Sequence, residues 1–516
     1  MKDIGLELNP KKCSMINVKR GKQVCDGSKA KLDDTTEIAS LNEGERYKFL
    51  GVLENLKQDD KMALQQAAEK YLQKVSVIWS SPLSDWNKVN ATNQFALPTL
   101  SYLMWTQTWP IAELKQIDRE TRKILTENGG RHPTSSNAVL YLPRKMGGRG
   151  LRSIEMEYKL TKIKAALKVY ENHDPMIGTV RSFDEKASER GHQSLGKDAV
   201  GYARELNLEL KLLYPQSTCF TVEGDEIPNK QIKKALKDAQ VNILRKEVEN
   251  QKWEGKLFAD RWKDEDLHKA CFSWMHDWKT APTHTVAGIQ ELYQQLLPTK
   301  LYLAKKVRTL DTHDYTCRMC GKEPESVAHV LAGCGAIAQS KYVERHNSVL
   351  RILFFEILTK YKLLPREDYA WYKPIKPKPV YVDDKVRALW DVPLFADTTQ
   401  VRANRIDVQF IDKTERKVIL IEMSCPWISN RAVKAEEKTR KYGPLRLELK
   451  RQYPGYQLTQ HNIIMDVLGG YSEDVRKSIQ SLVGERSQLV LKKMQKAMLT
   501  STLNIARSMK ILDHEH

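Results

Sequence analysis

The sequence predicts a mainly α-helical protein with a small Cys/His-rich segment and a C-terminal α/β unit. Three observations lead to this fold class. Apolar residues recur at helical spacing over much of residues 55–300, three cysteines and a histidine fall within residues 317–334, and two strand-like runs follow near residues 405–411 and 417–423. A chain of 516 residues exceeds what one hydrophobic core usually organises, so several modules are expected.

The composition favours a polyanionic partner. Lys and Arg number 84 against 65 Asp and Glu, which gives a formal net charge of +19. Nucleic acid is the natural candidate, although solvated surface lysines alone would give the same charge. No apolar run approaches the roughly twenty residues of a membrane span, and the start lacks the apolar core of a signal peptide. We therefore expect an intracellular protein, in the nucleus or cytoplasm, that is not secreted.

Prolines divide the helical part of the chain into several helices. Residues 55–128 show helical apolar spacing that is cut at Pro82, Pro98 and Pro110. Residues 153–300 again read as mostly helical and highly charged. Between them, residues 142–151 contain three glycines in four positions, which permits a tight backbone turn.

Four residues between 301 and 345 have the spacing of a metal site. Cys317 and Cys320 are followed by His329 and Cys334, which supply three soft thiolates and one imidazole. Eight cysteines in the whole chain are too few for a disulfide framework. The alternative is a set of reduced, unlinked cysteines in a helical hairpin. The tight spacing favours structural zinc with a closed coordination shell.

The part after residue 345 changes character. Residues 373–379 alternate lysine and proline and predict an extended basic connector, because proline breaks helices and central strands. After the two strand-like runs, we expect a charged helix at about 431–452 and a further apolar run at 462–468. Residues 471–512 predict terminal helices with an apolar face that contains Leu482, Val483, Leu489, Val490, Leu491 and Met494.

Each of the two strand-like runs carries a carboxylate. The alternation of Ile406, Val408 and Phe410 predicts one apolar face and directs Asp407 to the other. Residues 418–421 are apolar on both faces and predict a central strand with Glu422 at its carboxyl end. Side by side, the two acids would offer the oxygen ligands that Mg²⁺ requires, and the metal would activate water against a phosphodiester. Taken singly, each acid is more commonly a solvated charge at a strand edge.

Other residues are candidates for a supporting role. A lysine near the nucleophile would stabilise developing negative charge, and Lys438 and Lys441 lie on the helix predicted after the second strand. His346 or Asp391 is a further site member, or both are helix-surface and turn residues, which is the favoured interpretation.

Basic runs and tryptophans offer weaker signals for nucleic acid. Two basic runs would bind phosphates without sequence specificity, or they form solvated surfaces. They are residues 305–308 and Lys492-Lys493. Trp262, Trp274 and Trp278 would stack bases, but their helical spacing favours core packing.

At these residues the chain resembles the C-terminal part of a non-LTR retrotransposon polyprotein, from the clade with a restriction-enzyme-like endonuclease. The resemblance covers nearly the whole chain, and its most specific feature is the order of its motifs. These are a strand-turn motif at residues 5–13 with Lys12 at its lysine, a primer-grip-like hairpin at residues 47–52, the proline-glycine segment at 142–151, the Cys/His cluster, the Arg345-His346-Asn347 triplet and the Asp407/Glu422 pair.

The resemblance implies roles for individual residues. Asp407 and Glu422 match the metal-binding acids of a PD-(D/E)xK-like nuclease, and Lys438, Lys441 and Tyr442 match the lysine and tyrosine of its following helix. Two departures weaken the match. Residues 404–406 lack the usual proline before the first acid, and Ser424 stands where many related nucleases keep a lysine.

The resemblance also implies a division of the chain. The expected segments are a reverse transcriptase palm remnant and primer grip at 1–55, a helical thumb at 56–130, a helical linker at 131–300, a zinc knuckle at 301–345, the endonuclease at 346–470 and C-terminal helices at 471–516.

In that family, the endonuclease nicks target DNA and the reverse transcriptase extends the freed 3′ hydroxyl along the element RNA. The resemblance therefore implies target DNA and element RNA as partners, and zinc and magnesium as cofactors. The paired aspartates of the polymerase motif would lie upstream of Met1, so we expect a truncated protein without polymerase activity. The alternatives are a non-catalytic basic nucleic-acid-binding remnant and a fragmentary gene model of a reverse transcriptase domain protein.

Overall fold

The computed structural model describes most of the chain. The described residues are 9, 12–24, 27, 29–31, 36–42, 44–49, 51–54, 60–308, 314–365, 370–395 and 401–512. They group into two compact units. Unit 1 comprises Met1–Leu83, Asn87–Asn128 and Leu151–Ile243, and unit 2 comprises Ser84–Trp86, Gly129–Gly150 and Leu244–His516.

The chain is mainly helical, as predicted. The α-helices are α1 Asp60–Ser80, α2 Asp85–Ala91, α3 Pro98–Ser101, α4 Ile111–Glu127, α5 Asn137–Tyr141, α6 Ile154–Tyr170, α7 Pro175–Glu189, α8 Leu195–Glu205, α9 Ile232–Asn250, α10 Lys256–Lys263, α11 Trp274–Asp277, α12 Thr283–Tyr293, α13 Lys300–Tyr302, α14 Val327–Ala332, α15 Val343–Lys360, α16 Arg431–Lys441, α17 Gly443–Gln452, α18 Glu473–Val483 and α19 Ser487–Leu512. Among the described helices, none is both long and apolar enough to cross a membrane.

The strands are short outside the C-terminal part. They are β1 Val18–Lys19, β2 Lys22–Gln23, β3 Lys29–Lys31, β4 Glu37–Ala39, β5 Tyr47–Phe49, β6 Val52–Glu54, β7 Leu208–Lys211, β8 Thr218–Thr221, β9 Glu226–Ile227, β10 Val380–Val382, β11 Val386–Trp390, β12 Val408–Asp412, β13 Lys417–Ser424 and β14 Gln457–Ile464. The region predicted as mostly helical, 153–300, thus also contains the three-stranded sheet of β7, β8 and β9. Its strands of two to four residues are too short to give a clear alternating pattern.

Unit 1 is built around α1, α4 and α6. The prolines act as predicted: α3 starts at Pro98, and α4 starts directly after Pro110. The buried carboxylate of Asp118 on α4 accepts hydrogen bonds from Ile154 N at 2.9 Å and Ser153 Oγ at 2.7 Å, which caps the start of α6.

The N-terminal motifs are only partly described. Strands β5 and β6 pair in an antiparallel hairpin, and Gly51 in its turn has a φ of +89°. Of the strand-turn motif at residues 5–13, only Asn9, Lys12 and Cys13 are described, and Leu50 of the hairpin motif also lies outside the described residues.

The proline-glycine segment of unit 2 forms the tight turn that the sequence predicts. Gly147 has a φ of +90°, and a Cβ on Gly148 would lie 2.1 Å from the carbonyl oxygen of Leu142. The turn carries Arg149 into the interior, where its guanidinium pairs with Asp85 and with the carbonyl oxygen of Gly130.

A five-stranded sheet organises the C-terminal part of unit 2. Its order is β10-β11-β12-β13-β14, with the first four strands antiparallel and β14 parallel to β13. Residues 471–512, predicted as terminal helices, form α18 and α19. They bury the predicted apolar face on the same core as the sheet, except that Leu489 is 42% exposed.

Helices cover both faces of this sheet. On one face, Val408 and Phe410 of β12 join a core with α15, α18 and α19. On the other face, Ile411 of β12 packs with Tyr442 and Leu445. The expectation that Ile406 shares a face with Val408 and Phe410 is wrong, because Ile406 precedes β12 and packs in the second core.

The helix expected at 431–452 is two helices. Helix α16 ends at Lys441 and α17 starts at Gly443, with Tyr442 between them at φ −95° and ψ 10°. Pro444 lacks a backbone N–H and clashes with a preceding helical turn, which explains the break. Residues 373–379 form neither helix nor strand, as expected for a proline-rich connector.

Candidate active site and candidate metal centre

The Cys/His cluster predicted from spacing is assembled in unit 2. The ligand atoms of Cys317, Cys320, His329 and Cys334 all lie within 4.8 Å of one another. Cys317 Sγ is 4.0 Å from Cys334 Sγ, and Cys320 Sγ is 3.3 Å from His329 Nε2. The ligands of a tetrahedral zinc ion at about 2.3 Å lie roughly 3.5–4 Å apart, so these atoms could hold a metal such as zinc.

Hydrogen bonds of the neighbouring backbone and side chains position the residues of this cluster, independently of any metal. Gly321, at φ +62°, closes the turn after Cys320, and its N–H donates to the carbonyl oxygen of Cys317 at 2.8 Å. Ser326 caps α14 through a 3.1 Å hydrogen bond from His329 N, which positions the imidazole on the first turn of that helix.

Two further side chains hold the cluster's surroundings in place. The Tyr342 hydroxyl accepts from Cys334 N at 3.0 Å and donates to Val330 O at 2.8 Å. Glu325 is fully buried and accepts from the guanidinium of Arg318, whose Nη2 is 2.8 Å away. The ligand set is therefore held by contacts that do not involve the ligand atoms.

The two carboxylates predicted from the strand pattern lie next to each other. The register pairs Val408 with Ile421, so Asp407 and Glu422 are adjacent at the same end of the sheet. Asp407 N donates to Glu422 Oε2 at 3.3 Å, and Met423 N donates to Asp407 Oδ2 at 2.7 Å. The backbone of each strand thus orients the carboxylate of the other.

The last turn of α16 brings a cation to the same place. Lys438 Nζ lies 2.5 Å from Glu422 Oε1, and both side chains are largely buried, at 17% and 3% exposure. Tyr442 also reaches this cluster, since its hydroxyl hydrogen-bonds the Glu422 carboxylate. The Tyr442 hydroxyl donates to Arg405 O at 3.1 Å, and Lys441 Nζ donates to the Tyr442 hydroxyl at 3.1 Å. Tyr442 is buried in the core between the sheet and α17.

His346 joins the acidic cluster from α15. Its Nε2 is 3.1 Å from Asp407 Oδ2, and its Nδ1 is 3.0 Å from Asn347 Oδ1. The sequence favoured the interpretation of His346 as a helix-surface residue. In the structure, its imidazole instead contacts Asp407. Sequence periodicity gave no sign of it, because His346 and Asp407 are 61 residues apart and meet only through the packing of α15 on the sheet.

The charges in the cluster alter one another's titration. Burial lowers the pKa of His346, but the hydrogen bond to Asp407 and its charge raise it more, to about 9. Burial raises the pKa of Asp407, but the His346 contact brings it below its usual value. Burial and the charge of Asp407 raise the pKa of Glu422.

The cluster opens onto a cavity of about 380 Å³, which we call the acidic cavity. Its lining includes His346, Asp391, Asp407, Glu422, Ser424 and Lys438. Asp391 also forms an exposed ion pair with Arg405, 2.6 Å from its Nε. Ser424 also lines the cavity, and Lys438 from α16 is the cation next to Glu422.

The acidic cluster is not a compact three-ligand group. Within the described part of the chain, the Cys/His cluster is the one set of three or more ligand-type side chains whose ligand atoms all lie within 4.8 Å. Two carboxylates suffice for Mg²⁺, which keeps several waters in most protein sites. Asp407 Oδ1 accepts no hydrogen bond from any described residue, and the ammonium of Lys438 already occupies a cation position against Glu422.

Sequence reasoning missed two buried arginine networks in unit 2. Arg345 is buried, donates to Leu331 O at 2.7 Å and hydrogen-bonds the Cys425 thiol. Asp466 is fully buried between Arg261, 2.7 Å from its Oδ1, and Arg431, 3.0 Å from its Oδ2. No local pattern marks these partners, since Arg261 and Asp466 are 205 residues apart.

The basic runs and tryptophans mostly have local partners. Lys306 pairs with Glu254 at 2.7 Å, and Lys492 pairs with Asp277 at 3.2 Å. Trp274 is buried in the core, as its helical spacing suggested, and the indole of Trp262 donates to Met146 O at 3.2 Å.

No protein-family model matches this chain, and no curated protein matches it either. The class that fold and sites define is a mainly helical protein with a helix-covered C-terminal sheet, an acidic cluster at the sheet end and a Cys3His centre. Its function is inferred from those residues.

Proposed function

We propose that the chain is a non-LTR retroelement protein whose unit 2 is a metal-dependent DNA endonuclease, which nicks one strand of a target for reverse transcription. The observation that supports this most is the convergence of Asp407, Glu422, Lys438 and His346 around the acidic cavity. Glu422 comes from β13, Asp407 directly precedes β12, and His346 and Lys438 come from α15 and α16.

Asp407 and Glu422 would hold the metal. The ligand atoms that the cluster offers are Asp407 Oδ1, to which no described residue donates, and Glu422 Oε1, which is paired with Lys438. Mg²⁺ bound there would lower the pKa of a water and neutralise charge on the scissile phosphate.

Lys438 and His346 bring positive charge to the same cavity. With a metal held by Glu422, the Lys438 ammonium would be available to contact a phosphate oxygen and to stabilise the negative charge that develops during cleavage. The contact with Asp407 raises the pKa of His346 to about 9, which favours the protonated imidazole, and this imidazole holds Asp407 Oδ2. His346 is thus a positioning residue.

The Cys3His cluster would bind zinc for structure and not for catalysis. Four protein ligands close a tetrahedral shell, so no position remains for water or substrate. Zinc would tie the turn at Cys317 and Cys320 to α14, directly before α15, the helix that carries His346.

The experiment that tests the proposal is nicking of supercoiled plasmid by the purified chain with Mg²⁺. Asp407→Ala and Glu422→Ala should each abolish nicking. Glu415→Ala is the matched control, because this exposed carboxylate lies in the turn between the same two strands. Nicking that persists in both site variants would contradict the assignment of the acids.

A second candidate is a basic nucleic-acid-binding protein without catalysis. One observation favours it: Glu422 is only 3% exposed, and both of its oxygens already have partners in Lys438 and the Asp407 backbone. That function predicts salt-sensitive binding to DNA that is equal in the wild type and in Asp407→Ala, with no nicking in either protein.

A further inference from the structure

A second cavity of about 380 Å³ lies beside the acidic cavity in unit 2, and Asn347 and Trp390 line both. We call it the side cavity. Helices α15 and α19 each present four residues to it at the spacing i, i+3, i+4 and i+7, which is one face of a helix. Another wall is formed by the proline-rich connector, here taken as residues 371–379 so that it includes Trp371 and Tyr372.

Polar side chains line the part of the side cavity between α15 and α19, although the contact surface between two packed helices is ordinarily apolar. Ser348 Oγ and Ser501 Oγ are 3.0 Å apart across α15 and α19. Thr500 and Asn504 on α19 also line this part of the cavity. These side chains give the cavity polar groups suited to a ligand with donors and acceptors on one edge.

The connector supplies aromatic surface at the rim. Tyr372 is 68% exposed, and its ring is perpendicular to that of the half-buried Trp371, with centroids 5.7 Å apart. Trp371 in turn packs edge-on against Trp278 at 5.5 Å. A fixed Trp371 with a solvent-facing Tyr372 beside it is suited to stack a planar ring.

Exposed lysines at the rim of the side cavity give it the positive charge expected of a site that binds an anionic chain. Lys376 lines the side cavity and is exposed, and Lys373 and Lys378 on the same connector are exposed as well. Arg351 and Glu344 line it from α15 and offset each other. The prolines between these lysines lack an N–H and keep the connector out of the sheet, so the lysines stay at the surface.

We propose that the side cavity receives one unpaired nucleobase of the DNA strand held at the acidic cluster, with Tyr372 stacked on the base. The inference rests on the proposed function and deepens it, since it names the substrate as a duplex with an unpaired nucleotide beside the cleaved bond. The cavity volume is sufficient for one base, and polar side chains of α15 and α19 line it. Stacking on an aromatic side chain such as Tyr372 favours an unpaired base, whose flat face is accessible.

The test is equilibrium binding of the full chain to labelled duplexes in EDTA, so that cleavage does not enter the measurement. The probes are a duplex with one central extrahelical adenine, the same duplex with an abasic residue in its place, and the fully paired duplex. The wild type should bind the first probe about tenfold more tightly than the second, from the stacking contribution. Tyr372→Ala should remove this preference and Tyr372→Phe should keep it.

Phe395→Ala is the matched control, because Phe395 is an equally solvent-facing aromatic in unit 2, 81% exposed, that does not line the side cavity. Equal binding of the extrahelical and abasic duplexes, or a preference that survives Tyr372→Ala, would overturn the inference. Plasmid nicking distinguishes failure of this inference from failure of the proposed function. If the chain nicks plasmid but shows no preference for the extrahelical base, only the base-binding role of the side cavity is rejected. If it shows the preference but does not nick, only the nuclease function is rejected.

Discussion

Lys438 Nζ lies 2.5 Å from Glu422 Oε1, although the two residues are on different elements and 16 positions apart. The pair is largely withdrawn from water, and Asp407 lies on the other side of Glu422. Removal of Lys438 would therefore leave the Glu422 carboxylate buried beside a second carboxylate without a neighbouring cation.

We expect Lys438→Met to reduce nicking by about 10²-fold or more, the usual effect of removing one electrostatic donor from a phosphoryl site. It should also lower the free energy of unfolding by roughly 2–3 kcal/mol, because Glu422 then loses its partner in a buried place. Lys434→Met on the same helix is the control, since Lys434 pairs with Glu437 at the surface. Wild-type nicking by Lys438→Met would exclude a role for this lysine.

The contact between His346 and Asp407 predicts a pH dependence of stability in the metal-free chain. The folded-state pKa of about 9 lies above the ordinary value of 6.5, so the stabilising effect is complete below pH 6.5 and is lost as the pH rises through about 9. Urea unfolding in EDTA should show a loss on the order of 3 kcal/mol between about pH 6 and pH 9.5 in the wild type. His346→Gln, which does not titrate, should show a clearly smaller loss, and equal losses in both proteins would contradict the contact.

Metal removal should act on folding through the Cys3His cluster. The purified chain should contain one zinc per molecule, and Cys317→Ser or Cys334→Ser should lose it, with a fall in Tm of about 5 °C or more. Cys13→Ser is the control, because Cys13 lies in unit 1, where its thiol donates to Asn9 O, and does not belong to the cluster. Full zinc content in Cys334→Ser, measured by atomic absorption, would show that the cluster is not a metal site.

Asp466 should be essential for the stability of unit 2. Asp466→Asn leaves the buried guanidinium groups of Arg261 and Arg431 without their shared counter-charge, and we expect a loss of roughly 3–5 kcal/mol in chemical denaturation. Asp384→Asn, at an exposed bend before β11, should change stability by less than about 0.5 kcal/mol. If Asp466→Asn leaves the free energy of unfolding unchanged, the two arginines must find other partners.

The local elements were predictable where local rules decide them. The prolines at 98 and 110 start helices, the glycines at 147 and 148 form a turn that a Cβ would block, and the alternation around Phe410 marks a strand. The break between α16 and α17 was missed, although Gly443-Pro444 was the signal for it. The short strands β7, β8 and β9 gave no comparable signal.

The sequence by itself determined the Cys/His ligand set and the adjacency of Asp407 and Glu422, because both depend on residues close in the chain and on strand pairing across a short turn. Only the tertiary structure decided that His346 reaches Asp407, that Asp466 lies between two arginines, and that Tyr372 stands at the rim of a cavity. These contacts join residues that are tens to hundreds of positions apart. Their pairing follows from how helices pack on the sheet, and no local periodicity encodes that packing.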